Sequence, residues 1–222
     1  MKFQSYREIE STHEFEVGGE YMELKEFQNK DMSKVIQFAI DGMHLDLYLK
    51  NKLLLKLYGR YFWYLEANRA TQIIAANEGY TLAGVLLAEI YGESKKYYSK
   101  WRASYVKFVD FVQKTFFKES AGVYDSVNKK LLSKYKETNL PDGEIIFLAA
   151  NPDVKVKGIG TMLLNELRNR EKGKQIYLYT DNACTYQFYE HRGFDKVGEK
   201  DIELDLGTNK LPMTCLLYSK VL

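Results

Sequence analysis

The stretch "GEIIFLAANPDVKVKGIGTMLLNELRNR", residues 143–170, decides how the chain folds. An apolar run stops at Pro152, and two glycines one residue apart, Gly158 and Gly160, lead into a run with helical spacing. The order predicts a strand, a tight loop and a helix. Glycines let a ligand approach the backbone, and a helix N-terminus offers unpaired N–H groups and partial positive charge. We therefore expect the loop to bind an anion, most naturally a phosphate.

Three phosphate-binding patterns compete for this loop. A dinucleotide-binding fingerprint needs a third glycine, but position 163 is Leu163. A P-loop needs Gly-Lys before Ser or Thr, whereas Thr161 follows Gly160 directly. The third pattern is a loop that holds the pyrophosphate of an acyl-CoA.

The sequence around the loop predicts a mixed α/β chain. The N-terminal half offers a strand at 21–27, a helix at 29–43 with Asn29 or Asp31 as N-cap, a helix at 44–67 and a hairpin at 71–92 around Gly79. Behind the loop helix, which we expect to stop at Gly173, lie a strand at 174–180, a short helix at 181–194 ending at Gly193, and an antiparallel pair at 201–206 and 213–220.

The segment 92–140 differs from the rest because it is basic. It holds eleven Lys or Arg against five Asp or Glu, within a chain whose net charge is only +2. A stripe at helical spacing (Trp101, Tyr105, Phe108, Val112, Phe116) and a second helix near 123–136 predict a helical insert packed on the main sheet. The basic residues form either a solvated face, which we favour, or a patch that attracts an anionic cofactor or acceptor.

Composition narrows the functional classes. The hydrophobic content of 45% predicts a packed core, and the small net charge does not indicate nucleic-acid binding. The two cysteines, Cys184 and Cys215, have no metal-ligand spacing, so we expect no bound metal. So few cysteines are usual for a protein in a reducing compartment. With no membrane span or signal peptide legible in the sequence, we expect a cytoplasmic protein.

Two segments together resemble the GNAT superfamily of acyl-CoA-dependent N-acyltransferases. The first runs from "GEIIFLAANP" through Lys155-Val156-Lys157-Gly158-Ile159-Gly160, where the lysine at 155 replaces the family's usual Arg or Gln. The second, "YTDNACTYQFYEHRGF", places Asn182, Tyr189, Gly193 and Phe194 at the family's spacing. The resemblance implies one N-acetyltransferase domain over 1–222, with an N-terminal extension at 1–20 and the insert at 92–140. Its fold would be a mixed, mostly antiparallel sheet flanked by helices, with the insert between the third and fourth strands.

The resemblance also implies a cofactor, acetyl-CoA, and the residues that bind it. Backbone groups of Leu148, Ala149 and Ala150 would contact the pantetheine and the oxyanion, and the loop Lys155, Val156, Lys157, Gly158, Ile159, Gly160 and Thr161 would hold the pyrophosphate. Asn182, otherwise an ordinary helix cap, and Tyr186 would contact the cofactor arm.

Catalysis of acetyl transfer requires a base for the ammonium proton and a donor for the leaving thiolate. Glu144 is the candidate base, because it lies at the start of an apolar strand where desolvation would raise its pKa. Alternatively, Glu144 is only a solvated residue at a strand end, or an ordered water acts as the base. Tyr189 is the candidate acid, unless it only packs on a helix, and Tyr186 could replace it.

The predicted function is acetyl transfer to a small-molecule or protein primary amine by direct attack in a ternary complex. The alternative is a non-catalytic acyl-CoA-binding module with a sensing or assembly role. The acceptor pocket is expected to involve the helices at 30–68 and the insert, and a homodimer is possible.

Overall fold

The computed structural model describes residues 13–17, 20–43, 51–116, 122–205 and 210–222. The strands within these ranges form one eight-stranded sheet in the order β1-β2-β3-β4-β5-β6-β8-β7. Neighbouring strands pair antiparallel except β5 and β6, which are parallel, so the mixed, mostly antiparallel sheet is confirmed. The strands are β1 His13–Val17, β2 Glu20–Lys25, β3 Gln72–Glu78, β4 Thr81–Ile90, β5 Gly143–Ala150, β6 Gln175–Asp181, β7 Asp195–Asp205 and β8 Lys210–Val221.

Helices cover both faces of this sheet. They are α1 Met32–Gly42, α2 Lys52–Arg69, α3 Lys100–Phe116, α4 Gly122–Tyr135, α5 Ile159–Arg170 and α6 Gln187–Glu190. The apolar stripe of α5, with Leu163 and Leu167 fully buried, packs on one face. On the other face α1 and α2 cover the half of the sheet around β3 to β5, and α4 covers the half around β6 and β8.

The starts of the first two helices follow their capping residues. Asp31 occupies the N-cap position of α1 but makes no side-chain capping bond. Asn51 caps α2, its side-chain oxygen accepting hydrogen bonds from the backbone N–H groups of Leu53 and Leu54. The predicted beginning of this helix at 44–50 lies outside the described residues.

Residues 13–17, within the predicted N-terminal extension, form β1 and pair with β2. One predicted boundary was wrong. The helix expected over 181–194 shrinks to the single turn of α6. The Asp181 carboxylate accepts hydrogen bonds from the N–H groups of Ala183 and Cys184, as an N-cap does, but the chain becomes helical only at Gln187. Gly193 does end the segment, at a φ of 72°.

The insert lies between β4 and β5, and its two helices pack differently. Against expectation, α3 packs on α2 rather than on the sheet: the rings of Tyr105 and Tyr64 lie 5.2 Å apart, while Trp101 is 70% exposed. Only α4 packs on the sheet, through the buried Tyr135. Most of the described lysines of the insert are exposed, which agrees with a solvated basic face (Lys95, Lys96, Lys100, Lys107, Lys129, Lys130, Lys134, Lys136).

In the ranges that the structure describes, no helix is both long and apolar enough to span a bilayer. Those same ranges contain no group of three or more His, Cys, Asp or Glu residues placed to hold a metal ion.

Candidate active site

The sheet splits open between β5 and β6. These two strands pair only at Gly143 with Ile176 and at Glu144 with Tyr177, although β5 stays paired with β4 as far as Ala150. A bulge that skips Ile146 bends β5 where the split begins. From there onward the edge of β5 that faces the split has no strand partner among the described residues. Its backbone N–H and C=O groups are therefore available to a ligand, and the predicted contact residues Leu148, Ala149 and Ala150 lie on this edge.

The glycine loop closes the wide end of the split. Gly158 has a φ of 92°, in the left-handed region that favours glycine, and is the N-cap of α5. The first helical hydrogen bond runs from Met162 N–H to its carbonyl at 2.9 Å. The N–H groups of Ile159, Gly160 and Thr161 therefore begin the helix without intrahelical acceptors. Lys155 and Lys157 are exposed beside them, and anion binding by this loop stays a prediction.

Two contacts fix the loop on the sheet. The buried Asn151 donates its side-chain amide to the Leu82 carbonyl at 3.0 Å and its backbone N–H to the Ala83 carbonyl at 2.7 Å. Gly84 lets the helix approach, because a Cβ there would lie 2.6 Å from Ile159 Cγ2. Asn151 went unnoticed in the sequence, where an Asn before a proline indicates only a turn.

Phe188 of α6 and Arg192, two residues after this helix, support the loop, and sequence reasoning missed both. The Arg192 Nε donates to the Thr161 hydroxyl at 2.9 Å, and its guanidinium lies 3.7 Å from the centre of the Phe188 ring. The same ring covers Gly160, where an added Cβ would lie 2.9 Å from it. Gly160 therefore has a packing role in addition to exposing the backbone.

Tyr189, the candidate acid, lies on the α5 side of the sheet. Its ring contacts Phe188, Phe194 and Tyr218, with ring centres 5.2 to 6.5 Å apart. Burial, and secondarily Cys184, raises the pKa of the phenol above its ordinary value, so Tyr189 keeps its proton at neutral pH. Among the described residues, none hydrogen-bonds to this hydroxyl. The Tyr189 ring is therefore packed in the aromatic cluster, while its hydroxyl remains available as a proton donor.

The other two residues assigned to the cofactor arm lie nearby. Tyr186 is half-buried and occupies the N-cap position of α6. Asn182 is not the helix cap considered from the sequence, because its side-chain oxygen accepts the backbone N–H of Thr214 at 2.9 Å. Only its amide nitrogen remains to reach a ligand.

Glu144, the candidate base, lies at the narrow end of the split, on the face opposite α5. It is 7% exposed, which rules out the solvated strand end considered from the sequence. Arg69 contacts both carboxylate oxygens at 2.8 Å, and the Tyr177 hydroxyl donates to Oε2 at 3.1 Å. Burial and the negative charge of Glu144 raise the pKa of Tyr177, which therefore stays protonated and donates. No sequence motif indicated Arg69.

Arg69 forms ion pairs with three carboxylates. Besides Glu144 it contacts Glu66 on its own helix and Glu89 on β4, the latter at 3.0 Å, while Lys95 lies 3.1 Å from Glu89. With all these groups ionised, the cluster has three negative charges against two positive ones. A negative surplus at a partly buried site favours binding of a cation.

Helices on both sides frame this face of the split. The Cys184 thiol lies 3.8 Å from the carbonyl of Gly42, so the end of α1 reaches the turn that follows β6. The Tyr61 hydroxyl of α2 donates to Asp110 of α3 at 2.6 Å. The acceptor pocket that the sequence led us to expect around the first helices and the insert stays a prediction for this side of the sheet.

One family model matches the chain, that of the acetyltransferase (GNAT) family, over residues 124–194. The match includes α4, β5, the glycine loop, α5, β6 and α6. No curated protein is significantly similar in sequence.

Solved structures share the fold. One is the structure described as "histone acetyltransferase HPA2 and related acetyltransferase" from Corynebacterium glutamicum. Its sequence is 15% identical, its TM-score is 0.55, and the alignment covers 87% of this chain and 93% of that one. An N-acetyltransferase from Staphylococcus aureus Mu50 is 15% identical with a TM-score of 0.51, covering 89% and 99%. A protein assigned as arylalkylamine N-acetyltransferase 7 from the yellow fever mosquito is 12% identical with a TM-score of 0.53, covering 99% of both chains. At these identities the likeness concerns the fold.

Proposed function

We propose that this chain is a member of the GNAT superfamily of acetyltransferases, whose family model matches residues 124–194, and that it transfers an acetyl group from acetyl-CoA to a primary amine. The observation that supports this most is the split between β5 and β6. It has the glycine loop with its unpaired N–H groups at its wide end and a buried carboxylate at its narrow end, on opposite faces of the sheet. Donor and acceptor could therefore meet in one ternary complex.

The pyrophosphate of the cofactor would bind to the N–H groups that begin α5, with Lys155 and Lys157 adding positive charge. The pantetheine arm would then run along the open edge of β5 at Leu148 to Ala150 as an added strand, because that edge has no strand partner among the described residues. Asn182 and Tyr186 would contact the arm from the other side of the split. The thioester would reach the region where the two strands separate.

The acceptor would enter from the face that holds Glu144. An alkylammonium has a pKa of about 10.4, so deprotonation at pH 7 costs roughly 4–5 kcal/mol unless a base assists. Among the described groups, the Oε1 atom of Glu144 receives one hydrogen bond, from Arg69, and keeps room to accept the ammonium proton. The negative surplus around Arg69 would draw the ammonium there before it loses the proton.

The chemical step then follows. The amine nitrogen attacks the thioester carbonyl carbon, and backbone N–H groups of β5 stabilise the oxyanion. The nitrogen then loses its second proton to solvent, Glu144 releases the first, and the C–S bond breaks as the amide forms. Tyr189 gives its phenolic proton to the departing sulfur and regains one from solvent. The products are the N-acetylated amine and coenzyme A, with one proton released.

The decisive experiment is incubation of the protein with acetyl-CoA and a panel of amines, following release of the free thiol and the mass of the acceptor. We expect an acetylated amine together with stoichiometric coenzyme A. Tight coenzyme A binding with neither turnover nor slow hydrolysis would instead favour the non-catalytic acyl-CoA-binding module.

A further inference from the structure

A carboxylate without a cationic partner lies at the wide end of the split, on the face opposite α5. Asp181 is the last residue of β6, and its Oδ1 accepts the N–H groups of Ala183 at 2.9 Å and Cys184 at 3.2 Å. Its Oδ2 is contacted by the Tyr124 hydroxyl at 3.5 Å, which is long for an O–H···O bond, and the neutral Cys184 thiol also interacts with this carboxylate. In the described ranges no Lys or Arg forms an ion pair with Asp181.

A second acceptor beside it lacks a partner altogether. Asn128 is 5% exposed and follows Tyr124 by one helical turn, on the face of α4 that meets the sheet. Its side chain interacts with that of Tyr124, yet its Oδ1 atom has no hydrogen-bond partner within the described structure. A buried polar atom left unsatisfied costs about 1–3 kcal/mol, so its presence here calls for a donor.

The chemistry of these groups selects the donor. A carboxylate oxygen, an amide oxygen and a phenolic oxygen all accept hydrogen bonds. A neutral donor would leave the charge of Asp181 unpaired, whereas an ammonium supplies three N–H donors and the opposite charge. Burial and the charge of Asp181 raise the pKa of Tyr124, so this phenol stays neutral and does not itself supply a charge.

The second cation-binding position is the Glu144 cluster, and the two lie on the same face of the sheet. Glu144 is level with Tyr177 on β6, and Asp181 follows four residues later with its side chain on the same side. At roughly 3.3 Å per residue the two positions are separated by about 13 Å of strand. The ring of Tyr179 lies between them and offers an aromatic surface to a carbon chain or a cation.

We propose that the acceptor is a di- or polyamine, one ammonium of which binds to Asp181, Asn128 and Tyr124 while the other end reacts beside Glu144. This inference rests on the proposed acetyl transfer. A narrow, flexible chain fits better than a peptide, because Asn128 is buried and the two positions are joined along a single strand.

The test compares diaminooctane and spermidine with octylamine, which lacks the second ammonium. For wild-type protein we expect kcat/KM for the diamines to exceed that for octylamine by about tenfold or more, since a charged hydrogen bond contributes about 1.5–3 kcal/mol. In Asp181→Asn the preference should fall close to unity while octylamine turnover is retained. The asparagine keeps an oxygen for the turn at Ala183. Asp195→Asn, on the exposed edge strand β7, is the control for loss of one negative charge.

Asn128→Leu is a second variant that does not disturb the turn. Because it removes an unsatisfied buried atom, it should fold at least as well as wild type and still lose several-fold in diamine preference. Equal diamine preference in wild type, Asp181→Asn and Asn128→Leu would overturn the proposal. So would a lysine peptide that outcompetes the diamines.

Calorimetry with the coenzyme A complex separates this inference from the proposed activity. Diamine binding that is lost in Asp181→Asn supports the ammonium site even if no amine is acetylated, an outcome that would reject only the acetyl transfer. Absence of diamine binding to the wild-type complex would reject the site.

Discussion

Arg69 and Glu144, which are 75 residues apart in the sequence, form a two-pronged ion pair at the narrow end of the split. Nη1 lies 2.8 Å from Oε2 and Nη2 lies 2.8 Å from Oε1. The pair joins the end of α2 to the start of β5 and orients the carboxylate with little rotational freedom. The residue that would react and the residue that holds it thus belong to two elements that only the folded chain brings together.

Arg69→Met should destabilise the protein by about 2–3 kcal/mol in urea unfolding at pH 7, because three carboxylates lose their shared cation. We expect a smaller loss in the free energy of unfolding than for a fully buried ion pair, because the Arg69 side chain is 30% exposed. Arg170→Met is the matched control. Its ion pair with Glu166 spans one helical turn at a 40% exposed guanidinium, so its loss should cost less than about 1 kcal/mol.

The stability loss in Arg69→Met should shrink as the pH falls. Burial already raises the pKa of Glu66 above its ordinary value, and removal of the guanidinium raises it further. The folded variant then binds this proton more tightly than the unfolded chain does. Protonation therefore recovers stability as pH falls through the raised folded pKa toward the unfolded value of about 4.3. A stability difference between wild type and variant that stays constant from pH 8 to pH 5 would contradict this account of the cluster.

Glu144→Gln should lower kcat/KM for the amine by about 100-fold or more, because the amide cannot take the ammonium proton. Glu89→Gln is a close control, since Glu89 lies opposite Glu144 on β4 and shares Arg69, but its strand does not border the split. It should change kcat/KM by less than about threefold. Similar losses in the two variants, measured by thiol release, would assign the effect to the charge of the cluster and leave Glu144 without a role as base.

The sequence predicted the parts of the site that depend on local backbone. The tight loop that leads into α5, the strand that ends before Pro152 and the final antiparallel pair follow from turn chemistry and periodicity. The helix expected at 181–194 is only the turn Gln187–Glu190, although Asp181 offers a capping carboxylate at the start of that segment.

Long-range contacts were beyond such reasoning. Arg69, Asn128 and Arg192 are ordinary polar residues of helices in the sequence, and their roles depend on which strand each helix lies against. The stripe around Trp101 has helical spacing, but spacing does not state whether the stripe faces a sheet, another helix or solvent.

Tyr189→Phe should lower kcat by about 100-fold and leave the dissociation constant of acetyl-CoA nearly unchanged, because only the proton donor is removed from an otherwise retained aromatic cluster. The raised pKa of Tyr189 predicts that wild-type kcat does not decline through pH 9 from loss of this proton. Tyr80→Phe, at a 93% exposed turn position, controls for removal of a phenol. A wild-type kcat in Tyr189→Phe would show that the leaving thiolate obtains its proton elsewhere.

Gly158→Arg should weaken acetyl-CoA binding at least about tenfold, as measured by calorimetry. A side chain at this position would project from the residue that opens α5 and would hinder a phosphate that approaches the N–H groups of Ile159 and Gly160. The substitution also forces a non-glycine residue into a φ of 92°, at a cost of about 1–2 kcal/mol in stability.

Gly173→Arg separates these two effects. Its φ of 84° imposes a similar backbone strain, and nothing lies within 4 Å of an added Cβ. Since Gly173 follows the C-terminal end of α5, away from the N–H groups of the loop, this variant should lose stability but keep wild-type affinity for acetyl-CoA. Equal affinity in both variants would mean that the glycine at 158 serves only the fold, and that the cofactor's pyrophosphate binds outside this loop.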